Sequence, residues 1–163
     1  MPDWVMAVER GYVAAAKPSL RARAAAGAVA SRYLAVGTPR SFGLIGPGAE
    51  ESLLAHRTWF DPKDIRCSDG ATGHREVSRD EAFACDIVCV HLPICPLPAQ
   101  LRRGTHVNLL AGGALDPELL LLATIVHEAG LPALAAGFVD GRQLDELTVF
   151  VLGDAAIAEA SLV

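Results

Sequence analysis

The sequence predicts a doubly wound α/β domain with a mostly parallel sheet, and three observations carry that prediction. Short apolar runs alternate with helical patterns about six times, as expected of parallel strands joined by crossover helices. The strand candidates are near-continuous apolar runs, which is how strands covered on both faces read. The third observation is a strand–turn–helix–strand unit. Ser41–Ile45 enters Gly46-Pro47-Gly48, a helical stretch opens at Ala49, and the next strand-like run, residues 65–68, ends at Asp69.

The remaining elements follow in order. Asp3 can cap a first helix with Trp4, Val5, Val8 and Tyr12 along one side. Pro18-Ser19 opens a second helix, in which Ala26, Val29, Ala30, Tyr33 and Leu34 recur at helical spacing until Gly37 and Pro39 end it. Residues 49–60 read as a helix that stops before Pro62. Ser78 and Glu81 form a capping box for a short helix ahead of the apolar run 86–92. Residues 105–110 read as a strand. Asp116-Pro117 then supplies an N-cap and a proline at the first helical position for a helix over 118–122. Residues 124–127 and 148–152 are further strands, and Asp154 can cap a last helix. A single domain over 1–163 is expected, with helices in 1–38 ahead of a core over 39–163.

Composition narrows the class. The chain is 52% apolar and 20% charged, which places it among well-buried globular domains rather than disordered chains. A net charge of −5 without a dense Lys/Arg run argues against nucleic acid and anionic membrane as partners. There is no run of 18 apolar residues and no basic stretch followed by an apolar one near the start, so a soluble cytoplasmic protein is expected. Cys67, Cys85, Cys89 and Cys95 form no Cys-x-x-Cys pair and read as small buried hydrophobes. His91 lies near Cys89 and Cys95, but no second ligand pair stands at a metal-site spacing, so no metal is expected.

The chemistry concentrates in the strand–turn–helix unit. Gly46 suits a tight turn, and Gly48 lets backbone N–H groups approach a pyrophosphate at the helix N-terminus. Gly46, Pro47, Gly48 and Ala49 are therefore the expected dinucleotide cradle. Asp69 is placed to accept from a ribose hydroxyl and to oppose a 2′-phosphate, which favours NAD over NADP. The competing role for Asp69 is a turn residue before Gly70. Glu51 stands where this fingerprint normally has Gly or Ala, and it adds negative charge near the phosphates. His91, at the carboxyl end of its strand, is a candidate to donate to a substrate carbonyl or act as a general acid; the alternative is a satisfied structural histidine. His106 reads as packing or a backbone bond. His127-Glu128 ends another strand at the same edge, and Arg21, Arg23 and Arg32 read as solvated helix positions.

Six segments in register resemble the ornithine cyclodeaminase/mu-crystallin family: Ala24–Ala35, Phe42–Gly48, Ala84–Val90, Arg103–Asn108, Leu115–Leu120 and Asp145–Phe150. The resemblance implies a Rossmann-like domain that binds NAD(H) or NADP(H), with an amino or imino acid meeting the nicotinamide and Asn108 ending on the nicotinamide side. Departures accompany it. Family members are about twice this length and carry a dimerising domain. Their carboxylate-binding Arg falls on Ala22, between Arg21 and Arg23, and one residue rotates a side chain about 100° around a helix. Residues 109–114 (LLAGGA) lack the family's catalytic Asp, and Val151-Leu152-Gly153-Asp154 replaces its Asp-Ser-Val-Gly turn. Together with Glu51, these changes predict an NAD(H)-binding protein whose family catalytic positions are lost, acting by cofactor binding or association. Two alternatives stay open: a compact NAD(P)-dependent oxidoreductase acting on an amino or imino acid, and a structural domain without nucleotide. A homodimer is expected, because Trp4, Val5, Val8, Tyr12, the small-residue face of 24–30 and residues 155–163 would otherwise expose apolar surface.

Overall fold

The computed structural model describes residues 19–112, 114–127 and 146–152. The expected helix capped by Asp3, the Gly153-Asp154 turn and the final helix lie outside them. Seven strands form one sheet: β1 (Ser41–Ile45), β2 (Asp64–Ser68), β3 (Arg75–Glu76), β4 (Ile87–Val90), β5 (His106–Leu109), β6 (Thr124–His127) and β7 (Thr148–Val151). Their order is β3-β2-β1-β4-β5-β7-β6, and every pairing is parallel. The sheet is therefore wholly parallel among the described residues, not just mostly so. The chain builds outward from β1 to β3, then returns to lay β4 on the other side of β1. That reversal makes the carboxyl ends of β1 and β4 the switch point of the sheet, the place where open α/β sheets bind ligands.

Among the described residues four helices flank the sheet: α1 (Leu20–Leu34), α2 (Ala49–His56), α3 (Arg79–Phe83) and α4 (Pro117–Leu122). The expected caps are in place. Ser19 accepts from the Ala22 amide, Ser78 from Glu81 and Asp116 from Leu119, each removing an unpaired N–H from a helix start. The regular part of α2 ends at His56 and gives way to a turn before Phe60, four residues short of the expected end. The two-residue edge strand β3 and a 3₁₀ turn at Pro98–Gln100 carried no sequence signal.

Alternate residues of each strand meet different layers. Ile45, Val88, Val90, Val107, Leu109, Val149 and Val151 pack with Ala82 and Phe83 of α3 and Leu119 of α4. On the other face Phe42, Leu44, Ile87 and Cys89 meet Ala49 and Leu53 of α2, while Phe150 meets Ala26, Val29, Ala30 and Leu34 of α1. The small residues Ala24, Ala25 and Ala28 pack on Ala55 of α2. The face of α1 expected to seek a second copy is thus covered within the chain, which removes that part of the argument for a homodimer; the other residues invoked for it lie outside the described ones. No described helix is long and apolar enough to cross a membrane.

Candidate functional site

The sheet register sets the site. Ile45 pairs with both Ser68 and Val90, Val90 with Leu109, and Leu109 with Val151. The next residues, Asp69, Gly46, His91, Leu110 and Leu152, therefore form a crest along one edge. Gly46 (φ 98°) and Gly48 (φ 87°) both take left-handed backbone conformations, which a side chain would strain. A Cβ on Gly46 would lie 3.0 Å from the His91 carbonyl oxygen, and one on Gly48 would lie 2.9 Å from a methyl of Leu20. The turn thus needs both glycines, and Leu20 at the start of α1 rests on the second. Gly46 N–H donates to the Ser68 carbonyl (3.1 Å), and Pro47 touches the position a Gly70 Cβ would take, at 3.1 Å. The loop carrying Asp69 is therefore packed directly against the glycine turn.

Two acids secure that loop in different ways. Glu50, in the first turn of α2, accepts from the Thr72 amide (2.8 Å) and hydroxyl (2.7 Å). Burial pushes its carboxyl up, but the Thr72 bonds together with its own backbone N–H and the nearby His91 hold it below its ordinary range. Asp69 itself has φ 53°, the one described non-glycine residue in left-handed conformation. Arg79 grips it through Nη2–Oδ1 at 2.7 Å and Nε–Oδ2 at 3.0 Å, and this contact above all holds its carboxyl below the ordinary range. Glu51, at the anomalous third position, lies 3.9 Å from Arg21. It leaves Oε2 buried without a hydrogen bond.

His91 lies at this edge, with Nε2 2.6 Å from the Ser52 hydroxyl of α2. Burial, reinforced by the nearby Arg23 charge and opposed by Glu50, lowers its pKa to about 4. The imidazole is neutral at pH 7 and is a polar contact rather than a cation. Arg23 is not the solvated position expected from sequence: it is half-buried, and its Nη1 donates to the Leu110 carbonyl at the crest (3.3 Å). Arg32 is exposed, as expected, with its guanidinium 4.8 Å over the Trp59 ring.

Asn108, expected on the nicotinamide side, is fully buried and belongs to a chain of side chains inside the α1–α2 layer. With both imidazoles neutral, one assignment of donors runs the length of this chain, with the Ser31 hydrogen going to His56 rather than to the Gly27 carbonyl 2.9 Å away. Thr148 donates to His106 Nδ1 (2.8 Å), and His106 Nε2–H donates to Asn108 Oδ1 (2.8 Å). Asn108 Nδ2 donates to Ser31 Oγ (2.9 Å), Ser31 to His56 Nε2 (2.7 Å), and His56 Nδ1–H to the Ser52 carbonyl (2.6 Å). His106 thus bonds through its side chain to Thr148 and Asn108. Burial lowers the His56 pKa to about 4 and raises Cys89 beside it to about 12, so neither is charged at pH 7. Among the described residues no group of His, Cys, Asp and Glu is arranged to hold a metal.

Sequence reasoning missed two residues at this site. Gly43 lets α3 press on β1: a Cβ there would lie 2.0 Å from the Ala82 carbonyl oxygen. A lone glycine inside an apolar strand is the available signal for such an approach. Arg79 carried none, because its partner is ten residues away around a loop.

No protein-family model matches the sequence, and no curated protein matches it closely. Its fold does match solved structures. One is an archaeal alanine dehydrogenase dimer with bound NAD (24% identity, 85% of this chain and 61% of that one, TM-score 0.66). Another is a probable ornithine cyclodeaminase from Bordetella pertussis (21%, 87% and 63%, TM-score 0.66). A third is the iminosuccinate reductase of Paracoccus denitrificans with NAD+ (20%, 88% and 62%, TM-score 0.69). The chain spans about six tenths of the length of these proteins. These neighbours belong to the ornithine cyclodeaminase/mu-crystallin family, and this chain has the Rossmann-like fold of their dinucleotide-binding domains.

Proposed function

We propose that this chain binds NAD(H) at the β1–α2 turn and acts through cofactor binding or association. The observation that carries the reading is the pair of left-handed glycines, Gly46 and Gly48, at the point where strand order reverses. Asp69 is held beside them at the end of β2. The residues fit a dinucleotide: a turn with a glycine on either side of Pro47 opens an eight-residue helix, and a carboxylate follows the next strand, as the ribose-binding acid of this fingerprint does. Backbone from Gly46 through Ala49 would hold the pyrophosphate and Asp69 the adenosine ribose. When bound, NAD(H) supplies a hydride donor or acceptor at this edge. The bound NAD of the alanine dehydrogenase and iminosuccinate reductase neighbours supports the choice of cofactor.

Binding is favoured over amino-acid chemistry because His91, the candidate acid at the end of β4, is held neutral down to about pH 4, and an efficient acid or base has its pKa near the working pH. A second reading, an oxidoreductase acting on an amino or imino acid, draws on Arg23, whose charge stands close enough to His91 to act on it. Titration of the protein with NADH, followed by fluorescence and calorimetry, tests the main reading. Saturable one-to-one binding that Gly48→Val abolishes while the fold is kept is expected, and failure of NADH and NADPH alike to bind would overturn it. NADH consumption with a panel of cyclic imino acids would move the assignment to the oxidoreductase.

A further inference from the structure

We propose that Arg79 sets the dinucleotide preference of this site and opens it to NADP(H), an inference that rests on the dinucleotide reading above. An unpaired acid at the end of β2 does two things: it accepts from the ribose 2′-hydroxyl, and it repels a 2′-phosphate. Asp69 is not unpaired. Both its carboxylate oxygens are bonded to the Arg79 guanidinium, at 2.7 and 3.0 Å, and Ser68 Oγ donates a further bond to Oδ2 at 3.0 Å. The pair carries no net charge, so the repulsion that would exclude a 2′-phosphate is cancelled where it arises. Arg79 is also the more exposed partner, 47% against 26% for the Asp69 side chain. It spends two of its five N–H donors on the carboxylate. The remaining edge of a planar, permanently charged fork is what a phosphate dianion binds best.

The pair is built into the fold rather than resting on a mobile surface. Arg79 is the first residue of α3, whose start is fixed by Ser78. A bond from Gln100 to Asp80 at 2.7 Å ties down the same turn. Gly43 allows α3 to approach β1 more closely than any side chain would permit. On the other side, Asp69 holds a left-handed backbone that non-glycine residues rarely adopt, and such conformations persist where the surroundings over-determine them. Pro47 against Gly70 keeps this loop on the glycine turn. The guanidinium is therefore presented at a set place relative to the cradle, next to the group that reads the 2′-position.

The test is a set of titrations with NADH and NADPH on the full chain, on Arg79→Ala and Arg79→Gln, and on Asp69→Asn, with thermal melts to verify folding. The wild-type protein is expected to bind NADPH within about tenfold of NADH. Arg79→Ala and Arg79→Gln should each lose at least tenfold in NADPH affinity, with NADH changing less than threefold. Asp69→Asn should weaken NADH and leave NADPH equal or tighter. NADPH weaker than NADH by a hundredfold in the wild type, or a folded Arg79 variant that shifts both nucleotides equally or neither, would overturn the role of Arg79 while leaving the dinucleotide site standing. Binding of neither nucleotide by the wild type would overturn both.

Discussion

The two faces of this sheet are built from the same strands with different chemistry. Toward α3 and α4, β4, β5 and β7 present Val88, Val90, Val107, Leu109, Val149 and Val151, an apolar layer. Toward α1 and α2, the alternate residues include Cys89, His106, Asn108 and Thr148, all fully buried. His106, Asn108 and Thr148 are joined to Ser31 and His56 by hydrogen bonds of 2.7–2.9 Å. The first layer is held by area removed from water, which tolerates small changes of shape. The second is held by pairing, in which each removed partner leaves another buried group unsatisfied. The candidate site borders both: α3 positions Arg79 from the apolar face, and α2 carries Ser52 from the polar one.

The comparison is broken most severely where the apolar face has no slack. Gly43→Ala places a methyl 2.0 Å from the Ala82 backbone oxygen. Neither chain is a flexible side-chain end, so a loss of more than about 3 kcal/mol is expected, enough to unfold a marginal domain. Urea denaturation reads it, and a stability within 1 kcal/mol of wild type would show that α3 can slide. Next comes the polar face. Asn108→Leu keeps the volume but strands His106 Nε2–H and takes one partner from the Ser31 hydroxyl, at about 3 kcal/mol. Val107→Ala on the neighbouring apolar position removes more volume, yet should cost only about 2 kcal/mol. The reverse order would mean the polar chain contributes packing alone.

Acid sharpens the same contrast. His56 titrates near 6.5 when unfolded and about 4 when folded, so between these values the unfolded chain binds the proton and the folded one does not. Stability therefore falls as pH drops through that window, by up to about 3 kcal/mol at about 1.4 kcal/mol per pKa unit, and is unaffected by this group above it. His91 adds a loss of the same sign. Replacing His56 with Gln should flatten part of the slope in melts run from pH 7 to pH 4; an unchanged slope would remove His56 as its source. The smallest effect is expected at the site. Glu51→Ala removes a buried, unbonded carboxylate oxygen beside the glycine turn and should tighten NADH binding about fivefold, roughly 1 kcal/mol of relieved like-charge contact. Unchanged affinity in calorimetry would place the Glu51 charge out of reach of the phosphates.

Much was legible before any coordinates. The glycine turn, the helix caps of Ser19, Ser78 and Asp116, the parallel strands and the acid at the end of β2 are all local, because caps and turns act over three or four residues and buried strands write their environment into their own composition. What the tertiary structure alone decided are pairings between residues far apart in the chain. Asn108 reads as a site residue by resemblance, but Ser31, 77 positions away, claims it for the interior. Arg23 reads as a solvated helix position until Leu110, 87 residues on, receives its hydrogen bond. Asp69 reads as an unpaired acid until α3 brings Arg79 to it. Sequence determined where a dinucleotide turn could form, since backbone conformation is a local property of glycine. Only the assembled sheet decided which charges face that turn, because an electrostatic partner is chosen by proximity in space and leaves no period or spacing to read.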